Sequence, residues 1–271
     1  MTKRGGSGGW ALVLGPGGPA WLAGLAAGLR RSGVDPAAAT LIVGTSAGAI
    51  AGAMITTGRD LAAVAELPLQ GRDRPPPDAA AMIRAFELTG APDLDPGEVR
   101  RRIGRLALEA GALPEERHRA GMAYLVGTDE WPGGRRLLVT AVDVGSGEPV
   151  VWDGSDGGVP LTAAVAASSA APGFAEPVTI GGRRYMDGAF GGGSNAHLAA
   201  GAGPVVLIEP LPQMSDGSGA DVRIVPDERA REAFGDDVGD IARWTPAYQE
   251  GVRQGPAAAE LIVSAIRDSA G

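Results

Sequence analysis

Cysteine is absent from the 271 residues, which excludes disulfides and thiolate metal sites and leaves the redox compartment open. Histidine is scarce: His118 and His197 are the two copies, so a mechanism that needs an imidazole must use one of them. Positive charge is in deficit, with 24 Lys and Arg against 32 Asp and Glu, a formal charge of -8 and a pI near 4.9. A nucleic-acid partner needs a basic face to displace counterions, and this composition argues against one. A local basic patch, and with it a transient membrane-surface contact, is still compatible with it. No uninterrupted apolar run reaches the roughly 18 residues of a membrane span. The apolar run Trp10–Leu14 that follows Lys3 and Arg4 is too short for a signal-peptide core, so the expected location is cytoplasmic.

Glycine and proline, by contrast, are abundant, at 44 and 21 residues. That share approaches low-complexity sequence, but the glycines sit between periodic apolar segments, and 44% hydrophobic residues suffice for a sizeable core. The reading is a Gly/Ser-rich flexible arm over residues 1–9 followed by one α/β catalytic domain over 10–271, with a helical cover segment at about 60–120.

Trp10–Leu14 reads as a buried strand, Gly15-Pro-Gly-Gly-Pro19 as a turn, Ala20–Arg31 as a helix ended by Gly33, and Leu41–Val43 as a second strand. Strand, helix and strand in so short a span make a βαβ unit, which predicts a parallel sheet. A helix over Ala47–Thr57 follows. The segment 60–120 is mainly helical, broken at the Pro-rich stretch 72–77 and at Asp93–Pro96. Arg100, Arg101, Arg102 and Arg105 read as a solvated face, and His118 as a surface histidine. Leu137–Val142 and Pro149–Trp152 form a hairpin with Asp143 as a turn residue. Leu161–Ala171 is a small-residue helix, and Pro177–Tyr185 is a hairpin turning at Gly181-Gly182 that delivers Met186-Asp187-Gly188 to a strand end. Ser194–Ala200 reads as a helix capped by Ser194, and Pro204–Glu209 as a strand. Beyond it strand character is lost: Asp216–Ala220 is a loop, Asp236, Asp237 and Asp240 form a solvated acidic cluster, and Pro246–Ile266 is a helix.

The chemistry centres on Gly44-Thr-Ser-Ala-Gly48, the G-x-S-x-G spacing of a nucleophile elbow. Gly44 and Gly48 leave room for a tight strand-to-helix turn that exposes the Ser46 hydroxyl, and the Ala47 N–H stands at a helix N-terminus, where developing negative charge is favoured. Gly17 and Gly18, at the top of the neighbouring parallel strand, can approach Ser46 and complete an oxyanion hole. Gly15, Gly17 and Ala20 also match G-x-G-x-x-A with Asp35 downstream, a dinucleotide-binding pattern. Asp35, however, precedes the second strand instead of ending it, which argues against that use. For the proton acceptor, the order Ser46, Asp187, His197 fits a triad, but only one strand precedes the elbow and His197 lies inside a predicted helix ten residues past Asp187. The alternative is a Ser46–Asp187 dyad, in which a partly buried carboxylate takes the hydroxyl proton directly.

The elbow after the second strand, with Asp187-Gly188-Ala189 far downstream, resembles the patatin-like phospholipases. The glycine turn, Val142-Asp143 leading to Gly147-Glu148, Ala167-Ser-Ser-Ala-Ala-Pro172 and Asn195 extend the resemblance over about residues 11 to 209, and segments such as Pro226-Asp227 and Gln254-Gly255 look like bacterial members. The resemblance implies a three-layer α/β/α sandwich with a mainly parallel sheet. It further implies Ser46 as nucleophile and Asp187 as base, supported by Gly188, in metal-free and cofactor-free hydrolysis of a lipid or other acyl ester. One departure stands out: Gly15–Pro19 is shorter than the family's usual oxyanion loop, and Pro16 and Pro19 carry no N–H. Loss of one oxyanion donor costs about 10² to 10³ in rate, so the alternative expectation is a catalytically weak or inactive binding protein of the same fold.

Overall fold

The structure, a computed structural model, describes residues 9–65, 76–91, 93–155, 157–215, 217–235 and 240–269. Most of the predicted N-terminal arm, residues 72–75 of the Pro-rich stretch, Asp216, Asp236 and Asp237 lie outside the described residues.

The apolar runs read from the sequence become the parallel centre of one sheet: β1 (Ala11–Leu14), β2 (Leu41–Thr45), β3 (Arg136–Asp143), β7 (Val205–Ile208) and β8 (Val222–Ile224). Antiparallel strands β4 (Pro149–Trp152), β5 (Val178–Ile180) and β6 (Arg183–Asp187) complete it. The hydrogen-bonded path runs β5-β6-β3-β2-β1-β7-β8, with β4 on β3. The register along β3 decides where the site forms. Val139 and Thr140 pair with β4 on one edge and with Gly44 and Thr45 of β2 on the other, whereas Ala141 and Val142 pair with β4 and with Asp187 and Met186 of β6. A strand has two edges, so β6 occupies the edge that β2 has just left, running toward it. The ends of β2 and β6 therefore meet head-on.

Alternation along the strands sorts side chains to two faces. Leu12, Leu14, Ile42, Val139 and Val206 enter the larger core. That face is covered by α1 (Pro19–Arg31), α2 (Ala47–Thr57), α5 (Glu115–Val126), α6 (Leu161–Ser168), α8 (Glu228–Phe234) and α9 (Trp244–Asp268). The other face is covered more thinly, by a 3₁₀ turn at Ala196–Ala199 over Val13 and Val43, and by α3 (Ala79–Thr89), α4 (Pro96–Glu109) and α7 (Ala189–Gly192) around Val142 and Met186. The result is a three-layer α/β/α sandwich.

Four sequence expectations are corrected. Strand character returns at β8, three residues with only Ile224 buried and too short to signal a strand on their own. The small-residue helix stops at Ser168, because Ser169 and Ala170 turn to meet the end of β6. Ser194 caps nothing; Asn195 opens the 3₁₀ turn, while the Ser194 hydroxyl donates to Glu209. His118 is buried, at 1% exposure, and its Nε2 lies 2.9 Å from the Ala166 carbonyl.

One packing feature went unread in the sequence. Gly24 and Gly28 of α1 face Gly251 and Gly255 of α9 so closely that a Cβ on Gly24 would run into the Tyr248 carbonyl, and one on Gly251 would lie 2.7 Å from the Leu25 nitrogen. Trp21 Nε1 donates to Gln254 Oε1 at 2.8 Å beside this crossing. Helix propensity favours Ala over Gly by about 1 kcal/mol, whereas overpacking costs about 1–3 kcal/mol, so the crossing decides the sign. Gly251→Ala is expected to lower the unfolding midpoint in urea. Gly121→Ala, on α5 with nothing within 4 Å of its added methyl, is expected to raise it. Equal shifts of one sign in the two variants would refute the close-packing account.

Candidate active site

β2 carries its apolar run to Thr45 and hands the chain to Ser46, whose φ of 58° and ψ of -120° lie where a non-glycine residue is strained by about 1–3 kcal/mol. The flanking glycines make the turn possible by close approach: a Cβ on Gly44 would sit 2.7 Å from the Ala49 Cα, and one on Gly48 would enter the Leu14 carbonyl. Ser168, at the end of α6, pins the strained residue. Its Oγ accepts the Ser46 N–H at 2.9 Å, and its carbonyl accepts the Gly188 N–H at 3.2 Å.

Asp187 arrives from the opposite direction at the end of β6. Its N–H donates to the Ala170 carbonyl at 3.0 Å, Oδ1 accepts the Ala189 N–H at 2.9 Å, and Oδ2 accepts the Ser46 hydroxyl at 2.6 Å. The residue is 3% exposed. Burial pushes its carboxyl up to about 7, against the opposing pull of the Ser46 hydroxyl and the Ala189 N–H.

Beneath these two residues lies a buried polar bridge. Thr45 Oγ1 and Thr140 Oγ1 are 2.9 Å apart, and the Asn195 amide donates to Thr45 Oγ1 at 3.0 Å and to the Gly188 carbonyl at 3.2 Å. Asn195 takes the left-handed conformation, φ 56°, that asparagine tolerates. Gly188 is required by contact, since a Cβ there would collide with Thr140. Thr45, Thr140 and Ser168 were not singled out from the sequence as site residues; their hydroxyls gain meaning only from partners 95 and 122 positions away.

The turn at residues 15–19 bends through two left-handed glycines. Gly17 and Gly18 have positive φ, 82° and 51°, and no hydrogen bond among the described residues engages their N–H groups or that of Ala47. The turn is buttressed from behind: a Cβ on Gly15 would lie 2.8 Å from Ser194 Oγ and 3.2 Å from Glu209 Cγ, and Leu211 packs under Gly17. Glu209 is fully buried, and Arg223 Nη2 pairs with it at 2.7 Å.

The structure brings Ser46 and Asp187 together and leaves both histidines aside. His197 is exposed on the 3₁₀ turn, and His118 lies in the core. Asp35 caps the 3₁₀ turn Pro36–Ala38 through the Ala37 N–H and pairs with Arg30, both through Oδ1. Among the described residues, no group of three or more His, Cys, Asp or Glu is placed to hold a metal. A groove of about 1010 Å³ lined by Thr40, Pro204 and Asp221 opens at the opposite, N-terminal ends of the strands, away from Ser46.

The sequence profile described as Patatin-like phospholipase matches residues 12–200. The chain belongs to the patatin-like phospholipase family. The match spans both Ser46 and Asp187. No curated protein matches the chain. Among solved structures it is similar to type III effector protein ExoU, at 16% identity and a TM-score of 0.44 over 93% of this chain and 53% of that one. It is also similar to VipD from Legionella pneumophila, at 13% identity and a TM-score of 0.40 over 78% and 52%. The chain thus spans about half the length of these two solved structures.

A raised carboxylate pKa is also a stability statement. The folded state holds the Asp187 proton to about 7, whereas an unperturbed aspartate releases it near 3.8. This group therefore favours the fold at low pH, and its contribution is lost as pH rises from about 4 to 7. Asp187→Asn removes the titration. The unfolding free energy of the variant relative to wild type, from urea denaturation, is expected to climb across that window and level off above it, by an amount on the order of a few kcal/mol. A difference that stays constant with pH would contradict the burial argument.

Proposed function

We propose that this chain is a serine acylhydrolase of lipid esters, with Ser46 as nucleophile and Asp187 as general base. The observation that carries the reading is the 2.6 Å hydrogen bond from the Ser46 hydroxyl to a carboxylate that is 3% exposed. Membership in the family supports the substrate class. Ser46 Oγ attacks the ester carbonyl carbon while its proton passes to Asp187 Oδ2. The oxyanion accepts hydrogen bonds from the N–H groups of Gly17, Gly18 and Ala47, the last reinforced by the positive end of α2. As the tetrahedral intermediate collapses, the C–O bond to the leaving alcohol breaks and Asp187 returns the proton to that oxygen, leaving acyl-Ser46. Water then attacks the acyl group and gives a proton to Asp187. Collapse releases the carboxylic acid, and the proton goes back to Ser46 Oγ.

A carboxylate can do this work because burial has moved its pKa toward the operating pH. Gly44 and Gly48 serve the elbow and Gly188 the dyad, each by allowing an approach that a side chain would block. The polar bridge of Thr45, Thr140 and Asn195 fixes the separation of the two strand ends. A second reading, a weak or inactive relative, rests on Pro16 and Pro19, which remove two N–H groups from the oxyanion turn.

A fluorophosphonate probe is expected to label wild type and not Ser46→Ala; equal labelling would sink the nucleophile assignment. Hydrolysis of short-chain p-nitrophenyl esters is expected to fall at least about 10²-fold in Asp187→Asn and to remain near wild type in His197→Ala. The reverse pattern would restore the triad, and absence of any Ser46-dependent turnover would favour the inactive reading. Because the base must be ionised, kcat/KM is expected to rise about tenfold per pH unit below about 7 and to flatten above it.

A further inference from the structure

The parallel strands β1, β2 and β3 deliver their C-terminal ends to one rim of the sheet, where Ser46 stands. β3 continues past the Thr45–Thr140 pairing to Asp143, so the turn that follows projects at the same rim. α4 lies over that turn. A Cβ on Gly104 would be 2.8 Å from the Val144 carbonyl, Arg100 Nε donates to the Gly147 carbonyl, and Arg101 Nη1 donates to the Ser146 carbonyl at 3.4 Å. α3 reaches the rim through its N-terminus: the Asp78 N–H donates to the Gly173 carbonyl at 2.8 Å, close along the chain to Ala170, which holds the Asp187 N–H.

The outward side of this helix pair is unlike an ordinary solvated surface. Arg101, Arg102 and Arg105 gather on the single carboxylate of Glu98 with side chains 38%, 46% and 58% exposed. Their hydrogen bonds hold that carboxyl at about 2. Over α4 and its cap, Arg100, Arg101, Arg102 and Arg105 stand against Asp95, Glu98 and Glu109, so this helix keeps a small surplus of positive charge in a chain of net charge -8. Beside it α3 presents Ile83, 58% exposed, and Phe86, 39% exposed. Phe86 stacks at 5.7 Å on Phe190, which follows Asp187-Gly188-Ala189.

We propose that the α3–α4 face docks this protein on anionic phospholipid bilayers, with the arginines on headgroup phosphates and Ile83 and Phe86 in the acyl boundary, so that the Ser46 rim faces the lipid. Guanidinium forks suit phosphate oxygens. A basic, partly apolar surface is the combination that binds an anionic interface, and the negative charge of the rest of the chain orients this face toward the membrane. The proposal rests on the lipid-ester reading for its purpose and not for its test.

Binding is measured with the full-length Ser46→Ala protein, so turnover plays no part, by flotation with phosphatidylcholine vesicles with and without phosphatidylglycerol. Strong flotation is expected only with the anionic vesicles, weakening as salt is raised. The double variant Arg102→Glu with Arg105→Glu is expected to lose at least about tenfold in vesicle affinity, and Ile83→Ser to lose affinity by a smaller factor. In the Ser46 background both variants are expected to keep wild-type turnover of a water-soluble ester and wild-type melting temperatures. Equal flotation with neutral and anionic vesicles, no flotation with either, or unchanged binding in the arginine variant would overturn the proposal. Loss of soluble-ester turnover in wild type would instead strike the lipid-ester reading and leave the binding result standing.

Discussion

The hydrogen bond between Ser46 and the Asp187 carboxylate depends on two strands ending head-on along one edge of β3. Neither residue is close to the other in sequence, and neither sits on a strand that pairs with the other's. β2 pairs with β3 up to Thr140, and β6 takes over at Ala141. A slip of one residue in either register would turn the side chains to the opposite face. The buried bridge of Thr45, Thr140 and Asn195 guards against such a slip, because Thr45 bonds Thr140 of β3 while the Asn195 amide reaches both Thr45 and the Gly188 carbonyl beyond β6. Unmade, these polar groups would cost more than they contribute when paired, so the junction is specified by what a misfit would leave unsatisfied.

The glycine turn shows the same economy at the other side of Ser46. Its backbone is shaped by what lies behind it: Ser194, Glu209 and Leu211 fill the space under Gly15 and Gly17. The pair between buried Glu209 and partly exposed Arg223 ties the end of β7 and β8 into this support. A turn with few residues has few ways to move, and here its left-handed glycines leave their N–H groups outside any bond among the described residues.

The parts of the molecule legible in sequence are those whose physics is local. Apolar runs gave the central strands, G-x-S-x-G gave the elbow, and Asp-Gly at a strand end placed a carboxylate at the rim. What escaped is set by distant partners. Ser194 looks like a cap until Glu209 is seen beside it. His118 sits among charged neighbours in sequence yet is buried, because the opposite side of its helix packs on α6. β8 is three residues long and becomes a strand only because β7 offers it an edge. The head-on meeting of β2 and β6 has no sequence signature, since strand order and register are properties of the assembled sheet.

The crossing of α1 and α9 carries a consequence for how this chain reaches its structure. Its glycines make a backbone-on-backbone seam between segments that Trp21 and Gln254 join across 233 positions. Until α9 is made, the groove on α1 has no substitute filler, because a surface built without side chains offers little for a wrong partner to grip. Closing so long a loop is entropically slow. The β1–β7 pairing of Ala11 with Val205 spans nearly the same stretch of chain, so the sheet and the helical face depend on one long closure, with α9 as the latch on α1.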